Sequence, residues 1–283
     1  MRLKAMAKIN LGLDVLGKRE DGYHEVRMIM QTIRMYDILD IRKTRRPGIV
    51  LTTNLPFIPT DQRNLVYKAA QMLMEEFDVE EGLSIKLRKF IPVAAGMAGG
   101  STDAASTLFG INKLYNLGMT NKRIMELGVN IGADVPYCVM RGTALAEGIG
   151  EKLTRLRAVP HMWIVIAKPA INVSTKLVYE NLDIGGVNVH PDIDGLIDAI
   201  NEQNIEKIAD RMGNVLENVT IPLYPVIDTI KKDMLAHGAY NAMMSGSGPT
   251  VFGIFPDEKT ALLCRDYLKE KKDARTVYIT ETF

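Results

Sequence analysis

The sequence predicts a two-domain α+β protein, and three observations carry that prediction. Runs rich in Ile, Leu and Val alternate along the chain with segments whose apolar residues recur at helical spacing. The chain has 283 residues, 47% of them hydrophobic, enough for a large core and for more than one domain of ordinary size. Composition shifts around "RLRAVPH" at residues 155–161, which places the expected domains at 1–157 and 158–283.

The elements follow in order. "AKINLGLDVLG" (7–17) has the apolar content and partial alternation of a strand, and Asp21-Gly22 signals a turn. "VRMIMQTIRMYDILDIR" (26–42) holds one or two further strands, and "RKTRRPG" (42–48) reads as a solvated turn between strands. In "NLVYKAAQMLMEEF" (64–77), Leu65, Ala69, Met72 and Leu73 share one helical face and Asn64 is placed to cap it. "LSIKLRKFIPV" (83–93) alternates as a strand. A helix is expected from about Thr102 to Leu117, stopped by Gly118, and Thr120 caps the next, "NKRIMELGVNIG". "MWIVIAKP" (162–169) is a buried strand. "DIDGLIDAINEQNIEKIADRM" and "LYPVIDTIKKDMLAHG" are helical, "NAMMSGSGPTVFGIFP" reads as strand, glycine turn and strand, and a helix and a last strand close the chain. Met28, Met30, Met72, Met74 and Met243 are expected as core filler.

Charge and composition narrow the function. The net charge is +1, a balance that argues against a general basic face for nucleic acid and leaves a local basic patch open. Cys138 and Cys264 have no paired spacing, which fits a reducing compartment and points to neither disulfide nor zinc. His161, His190 and His237 lack metal-ligand spacing and are expected to be structural or at the surface. No window approaches about 20 uninterrupted apolar residues, and "MRLKAMAKIN" lacks the apolar stretch of a signal peptide. A soluble cytoplasmic protein is expected.

The stretch "IPVAAGMAGGSTDAAS" (91–106) is rich in Gly and Ala and runs straight into a helix. Strand, small-residue loop and helix together suit an anion site, in which main-chain N–H groups point at the anion and the helix N-terminus adds roughly half a positive charge; a tight turn capped by Ser101 is the alternative. Larger side chains would hold phosphate oxygens away from the backbone. No lysine follows the last glycine, so this is not a Walker A loop, and it lacks the Gly-x-Gly-x-x-Gly spacing of dinucleotide folds. Ser101 and Thr102 are placed to cap the helix, donate to phosphate or ligate Mg²⁺.

The stretch from Pro92 to Thr102 resembles the nucleotide loop of the GHMP kinase superfamily, Pro-x-x-x-Gly-Leu-Gly-Ser/Gly-Ser-Ser. Met97 stands for the usual Leu, Ala98 for a Gly and Thr102 for the second Ser. "AKINLGLDVLGKREDGYHEV", "LGVNIGADVPYCVMRGTALAEGIGE" and "MSGSGPTVFGIF" resemble further motifs of one branch of that superfamily, whose acceptor alcohol carries a cytidine diphosphate and lies on the non-mevalonate route to isoprenoids. Met6 departs from the branch, which commonly has Pro before Ala-Lys. The similarity runs over nearly the whole chain.

The resemblance implies a GHMP kinase fold, with an N-terminal ribosomal-protein-like βαβ domain and a C-terminal ferredoxin-like domain. It implies that Pro92, Val93, Ala94, Ala95, Gly96, Met97, Ala98, Gly99, Gly100, Ser101 and Thr102 bind ATP, with Asn64 and Lys89 at the adenine. For Asn64 a plain helix cap, and for Lys89 a plain surface position, remain the alternatives. Lys8 lies on an apolar strand, where a lysine must reach solvent or find a carboxylate. Asp134, in "GADVP", sits at an element end, where catalytic groups are often displayed. The resemblance pairs Lys8 with Asp134 and makes Asp134 the base for the acceptor hydroxyl. An edge lysine and an N-capping aspartate are the alternatives. For the acceptor it implies Asn10, with Tyr23 stacked on the cytosine, His24 hydrogen-bonded to its edge and Tyr179 on the other side. Gly246 and Gly248, with Ser245 and Ser247, would close over the diphosphate or form only a hairpin turn.

The expected activity is transfer of the γ-phosphoryl of ATP, with Mg²⁺, to the 2-hydroxyl of the acceptor; the metal ligands stay unassigned, with Ser101 and Thr102 as candidates. The expected partners are these small molecules alone, without nucleic acid or membrane, in a monomer or weak homodimer. Another GHMP enzyme, such as homoserine kinase or a mevalonate-pathway enzyme, would share the loop but lack "GYHEV". A non-catalytic nucleic-acid-binding module would need neither Lys8 nor Asp134.

Overall fold

The computed structural model describes all 283 residues. Contacts divide the chain into two compact units: Met1–Ala7, Met35–Val93 and Ala98–Arg141 form the first, and Lys8–Arg34, Ala94–Met97 and Gly142–Phe283 the second. Two long strands, β1 (Arg2–Lys18) and β2 (His24–Thr44), contribute residues to both.

In the first unit, the C-terminal half of β2 pairs antiparallel with β4 (Gly82–Arg88), from Ile38 opposite Arg88 to Thr44 opposite Gly82. β3 (Ile49–Thr53) runs parallel to β4 on its other side. Helices α1 (Leu65–Glu76) and α2 (Gly99–Tyr115) pack together, followed by α3 (Asn121–Val129) and α4 (Val135–Met140). Leu39, Ile41, Leu83, Ile85 and Leu87 of the sheet and Leu73, Leu108 and Ile111 of the helices are almost fully buried. The caps fall where their chemistry places them: Asn64 accepts from the Val66 N–H and Thr120 from the Arg123 N–H.

The second unit holds the N-terminal half of β2, paired antiparallel with β5 (Thr143–Gly148), which pairs in turn with β6 (Lys152–Arg155). β7 (Trp163–Lys168) opens a separate sheet. Five helices follow, α5 (Thr175–Glu180), α6 (Ile193–Glu202), α7 (Ile205–Asp210), α8 (Glu217–Leu223) and α9 (Val226–Ala236). Between α7 and α8, the two-residue strand β8 (Gly213–Asn214) pairs parallel with Gly12 and Leu13 of β1. β9 (Asn241–Met244), β10 (Val251–Phe255), α10 (Glu258–Lys271) and β11 (Thr276–Glu281) complete the chain. The second sheet is antiparallel in the order β11-β7-β10-β9, with α9 and α10 packed on it. Split pairing of this kind, the first strand between the last and the third, is ferredoxin-like, as expected.

Several local expectations need correction. Of the one or two strands expected over residues 26–42 there is one; Met28–Ile33 within it are buried on both faces, which removes the alternation between an inner and an outer face. α2 begins at Gly99, not Thr102, because Ala98 takes a left-handed conformation (φ 54°) and turns the chain into the helix. Ser101 therefore sits inside the first turn and does not cap it. The helix ends at Tyr115, because Asn116 adopts the left-handed conformation (φ 56°) before Gly118 is reached. The buried face of α1 is Val66, Ala69, Ala70 and Leu73, one position round from the expected stripe, leaving Leu65 and Met72 half-buried. Met28, Met30 and Met243 are core residues, whereas Met74, like Met72, is only half-buried.

Both cysteines are buried free thiols, and burial, helped by the Asp233 charge, pushes the Cys264 thiol up to about 12. His161 pairs with Glu281 (2.6 Å), His190 with Asp14 (2.7 Å), and His237 stacks on Tyr267 with ring centres 3.8 Å apart. No helix is long and apolar enough to cross a membrane.

Phe252 is fully buried in β10, between β7 and β9. Phe252→Ala should lower unfolding stability by about 3–5 kcal/mol, read from the midpoint shift in urea denaturation.

Candidate active site

In the first unit the approach to the small-residue loop is held by buried polar groups. Asn54 pins Lys89 through both main-chain groups, accepting from its N–H (2.8 Å) and donating to its carbonyl (3.1 Å). Asp37 Oδ1 accepts from the N–H groups of Phe90 (2.5 Å) and Ile91 (2.8 Å). The Lys89 ammonium donates to Asp37 Oδ2 and to Asp103 Oδ2, the latter at 2.6 Å. Lys89 is 8% exposed, so it is not a surface lysine. Burial works to lower its pKa, but the charges of Asp103 and Asp37 outweigh this and leave it raised. Burial pushes the Asp103 carboxyl well above the usual carboxylate range, against the pull of Lys89. Asn64 is committed to capping α1, its amide donating to the Pro59 carbonyl at 2.8 Å.

Beyond the loop, α2 starts without a side-chain cap. The first N–H groups of a helix have no partner within it. Gly100 is exposed here and Ser101 half-exposed, so the positive end of α2 is open, while Thr102 is 1% exposed. A Cβ on Gly99 would lie 3.2 Å from the Lys89 ammonium, which explains a glycine at that position. Asp134 occupies the N-cap position of α4 without making a capping hydrogen bond and is half-buried. A capping role alone therefore does not account for it.

In the second unit the middle of the loop, Ala94–Met97, is fastened from two sides. The Lys8 N–H donates to the Met97 carbonyl (3.2 Å), and the Ser245 hydroxyl to the Gly96 carbonyl (3.0 Å). Gly96 has φ 68°, and a Cβ there would sit 2.0 Å from the Ser245 carbonyl oxygen, so only glycine fits. Lys8 is 5% exposed and its ammonium donates to Asn10 Oδ1 (2.7 Å); the Asn10 amide lies 3.2 Å from Met28 Sδ. The sequence-assigned Lys8 and Asn10 are thus direct neighbours.

The glycine turn between β9 and β10 is buried from Ser245 to Thr250. Asn214 donates to the carbonyls of Met244 and Gly246, each at 2.8 Å. The Ser247 hydroxyl pairs with that of Thr175, at the start of α5, at 2.8 Å. On the same helix, Tyr179 packs against His24 with ring centres 5.1 Å apart. Burial, followed by the Lys18 charge, lowers the His24 pKa, which favours the neutral imidazole. Tyr23 stands 60% exposed, its ring free of the core. The structure thus brings His24 and Tyr179 together.

Sequence reasoning did not single out Asp37, Asp103, Asn214 or Thr175. Asp37 and Asp103 carried a usable signal, each being a carboxylate inside a largely apolar or small-residue run. Asn214, in a two-residue strand, left none. No cluster of three or more His, Cys, Asp or Glu side chains is placed to hold a metal. Of the two candidate hydroxyls, that of Ser101 is the more accessible.

Residues 64–142 match the GHMP kinases N terminal domain and residues 196–274 the GHMP kinases C terminal domain. The 4-diphosphocytidyl-2-C-methyl-D-erythritol kinase of Lachnospira eligens is 61% identical over 283 residues, 100% of this chain and 98% of that protein. A crystal structure of 4-(cytidine 5'-diphospho)-2C-methyl-D-erythritol kinase superposes with a TM-score of 0.85 at 30% identity, covering 100% of this chain and 99% of that one. A homoserine kinase from Cytophaga hutchinsonii superposes at 0.81 but with 21% identity, a likeness of fold alone. With both GHMP regions matched and the whole chain aligned at high identity, this protein belongs to the GHMP kinases, in the 4-diphosphocytidyl-2-C-methyl-D-erythritol kinase family.

Proposed function

We propose that the protein transfers the γ-phosphoryl group of ATP to the 2-hydroxyl of 4-diphosphocytidyl-2-C-methyl-D-erythritol, a step in making isoprenoid precursors without mevalonate. The observation that carries this reading is the 61% identity, over the whole chain, to a relative of that name. The uncapped, open start of α2 after a run of small residues supports the nucleotide half of the reaction.

In this reading MgATP lays its phosphates along residues 92–102, where main-chain amides and the α2 N-terminus offset their charge. The hydroxyl oxygen of the acceptor bonds to the γ-phosphorus as the bond to the β,γ-bridging oxygen breaks. Asp134 takes the hydroxyl proton, and Lys8 is its assigned cationic counterpart. Tyr23 stacks on the cytosine. A neutral His24, backed by Tyr179, hydrogen-bonds the edge of the base, and the turn carrying Gly246 and Gly248 lies along the acceptor diphosphate. Asn64 and Lys89 frame the nucleotide end as a helix cap and a buried anchor. The protein acts in the cytoplasm on these small molecules, as a monomer or weak homodimer.

Incubation with ATP, Mg²⁺ and a panel of alcohols tests the assignment. Phosphorylation is expected of the cytidylyl acceptor and not of homoserine or mevalonate; the reverse pattern overturns it. Asp134→Asn should reduce kcat by roughly 10²–10⁴-fold while a non-hydrolysable ATP analogue still binds. Near-normal turnover would remove Asp134 from the mechanism. Loss of a base–aromatic stack costs about 1–3 kcal/mol, so Tyr23→Ala should raise KM for the acceptor about tenfold and leave KM for ATP unchanged. Equal changes in both constants would contradict the stacking role.

A further inference from the structure

Three charged side chains of the first unit meet in its interior: Asp37 at 0% exposure, Asp103 at 2% and Lys89 at 8%. Each comes from a different stretch of chain. Asp37 lies on β2, Lys89 immediately follows β4, and Asp103 lies near the start of α2. Replacing a buried ion pair or triad with apolar groups often leaves stability unchanged or improves it. Stability alone is therefore a weak reason for three buried charges, whereas fixing a geometry is a specific one.

That geometry is local and directional. Asp37 uses one oxygen for the Phe90 and Ile91 N–H groups, directly before Pro92, and the other for the Lys89 ammonium. Asn54 holds the Lys89 main chain on both sides. The same ammonium reaches forward to Asp103, just past the first turn of α2, at 2.6 Å. Gly99 leaves room for the ammonium beside the helix start. One cation thus ties the segment that enters the small-residue loop to the helix that leaves it.

We propose that Asp37, Lys89 and Asp103 are positioning residues for the nucleotide, a buried strut that holds the two ends of the phosphate loop at a fixed separation before ATP arrives. None of the three needs to touch ATP. The strut presets the direction of the α2 N–H groups, and a shift of about 1 Å in such a group is enough to weaken binding and transfer strongly. This inference rests on residues 92–102 being the nucleotide loop.

The test uses the full chain, with Asp103→Asn and the pair Lys89→Met with Asp103→Asn. The pair removes the cation together with its partner on α2, cutting the tie between the loop ends. Calorimetry with a non-hydrolysable ATP analogue, KM for both substrates and the thermal midpoint are measured. We expect Kd for the analogue and KM for ATP to rise about tenfold in both variants, with acceptor KM within about twofold of wild type. A merely structural role would lower the midpoint without separating the two KM values. Were Lys89 instead a direct ligand of ATP, freeing it from Asp103 would leave binding unchanged or tighter. Analogue Kd within about twofold of wild type in either folded variant overturns the strut. If the wild-type protein itself fails to bind the analogue, the loop reading falls and takes the strut with it. Should neither variant fold, amide exchange of the unaltered protein decides. Slow exchange of the Phe90 and Ile91 amides without nucleotide supports the strut, and open-loop exchange slowed only by the analogue overturns it.

Discussion

An ammonium buried between two carboxylates links the residue after β4 to the start of α2. A lysine in an apolar interior is costly unless it is paired and its donors are used. Lys89 meets that condition only if Asp37 and Asp103 are both brought to it, which fixes the strand and helix that carry them. Asp37 then has an oxygen left for two main-chain N–H groups, so the turn after Lys89 is also determined. The charges are expensive to bury, and the geometry they impose is correspondingly narrow. Beside this cluster, the start of α2 carries no side-chain cap.

The second unit solves a related problem without charge. Gly96 lies so close to the Ser245 carbonyl that no side chain fits, and the Ser245 hydroxyl closes the contact onto the Gly96 carbonyl. Asn214 holds the same turn from behind through two carbonyls. The pairing of Thr175 with Ser247 ties the turn to α5, and Tyr179 on that helix packs against His24. The helix α5 thus touches the glycine turn at its start and His24 near its end. Burial, followed by the Lys18 charge, favours the neutral imidazole of His24 in that pair.

Much of this was legible in the sequence where the signal is local. Asn64 and Thr120 were recognisable caps because a cap is chosen by the residues next to it. The strand–turn–strand at residues 241–255 followed from apolar runs flanking glycines. The start of α2 was misplaced by three residues, because glycine pairs argue against helix, yet at a first turn they cost little. The buried face of α1 was misjudged because Leu65 and Val66 are both apolar and only the neighbouring helix distinguishes them. For the site, the small-residue loop stood out as a string of residue types, whereas the partners that hold it did not.

By itself the sequence determined the α+β class, most of the long elements, the loop of small residues and the family to which the chain belongs, because periodicity, caps and motif strings are properties of neighbours in the chain. Tertiary structure alone decided that Lys89 is an interior anchor and not a surface cation, that β8 adds to β1, and that Asn214 and Thr175 support the glycine turn. Lys89 lies 52 residues from Asp37 and 14 from Asp103, and Asn214 lies 30 from Met244. Contacts across such separations leave no local pattern, since they exist only once packing has excluded water and obliged each buried polar group to find a partner.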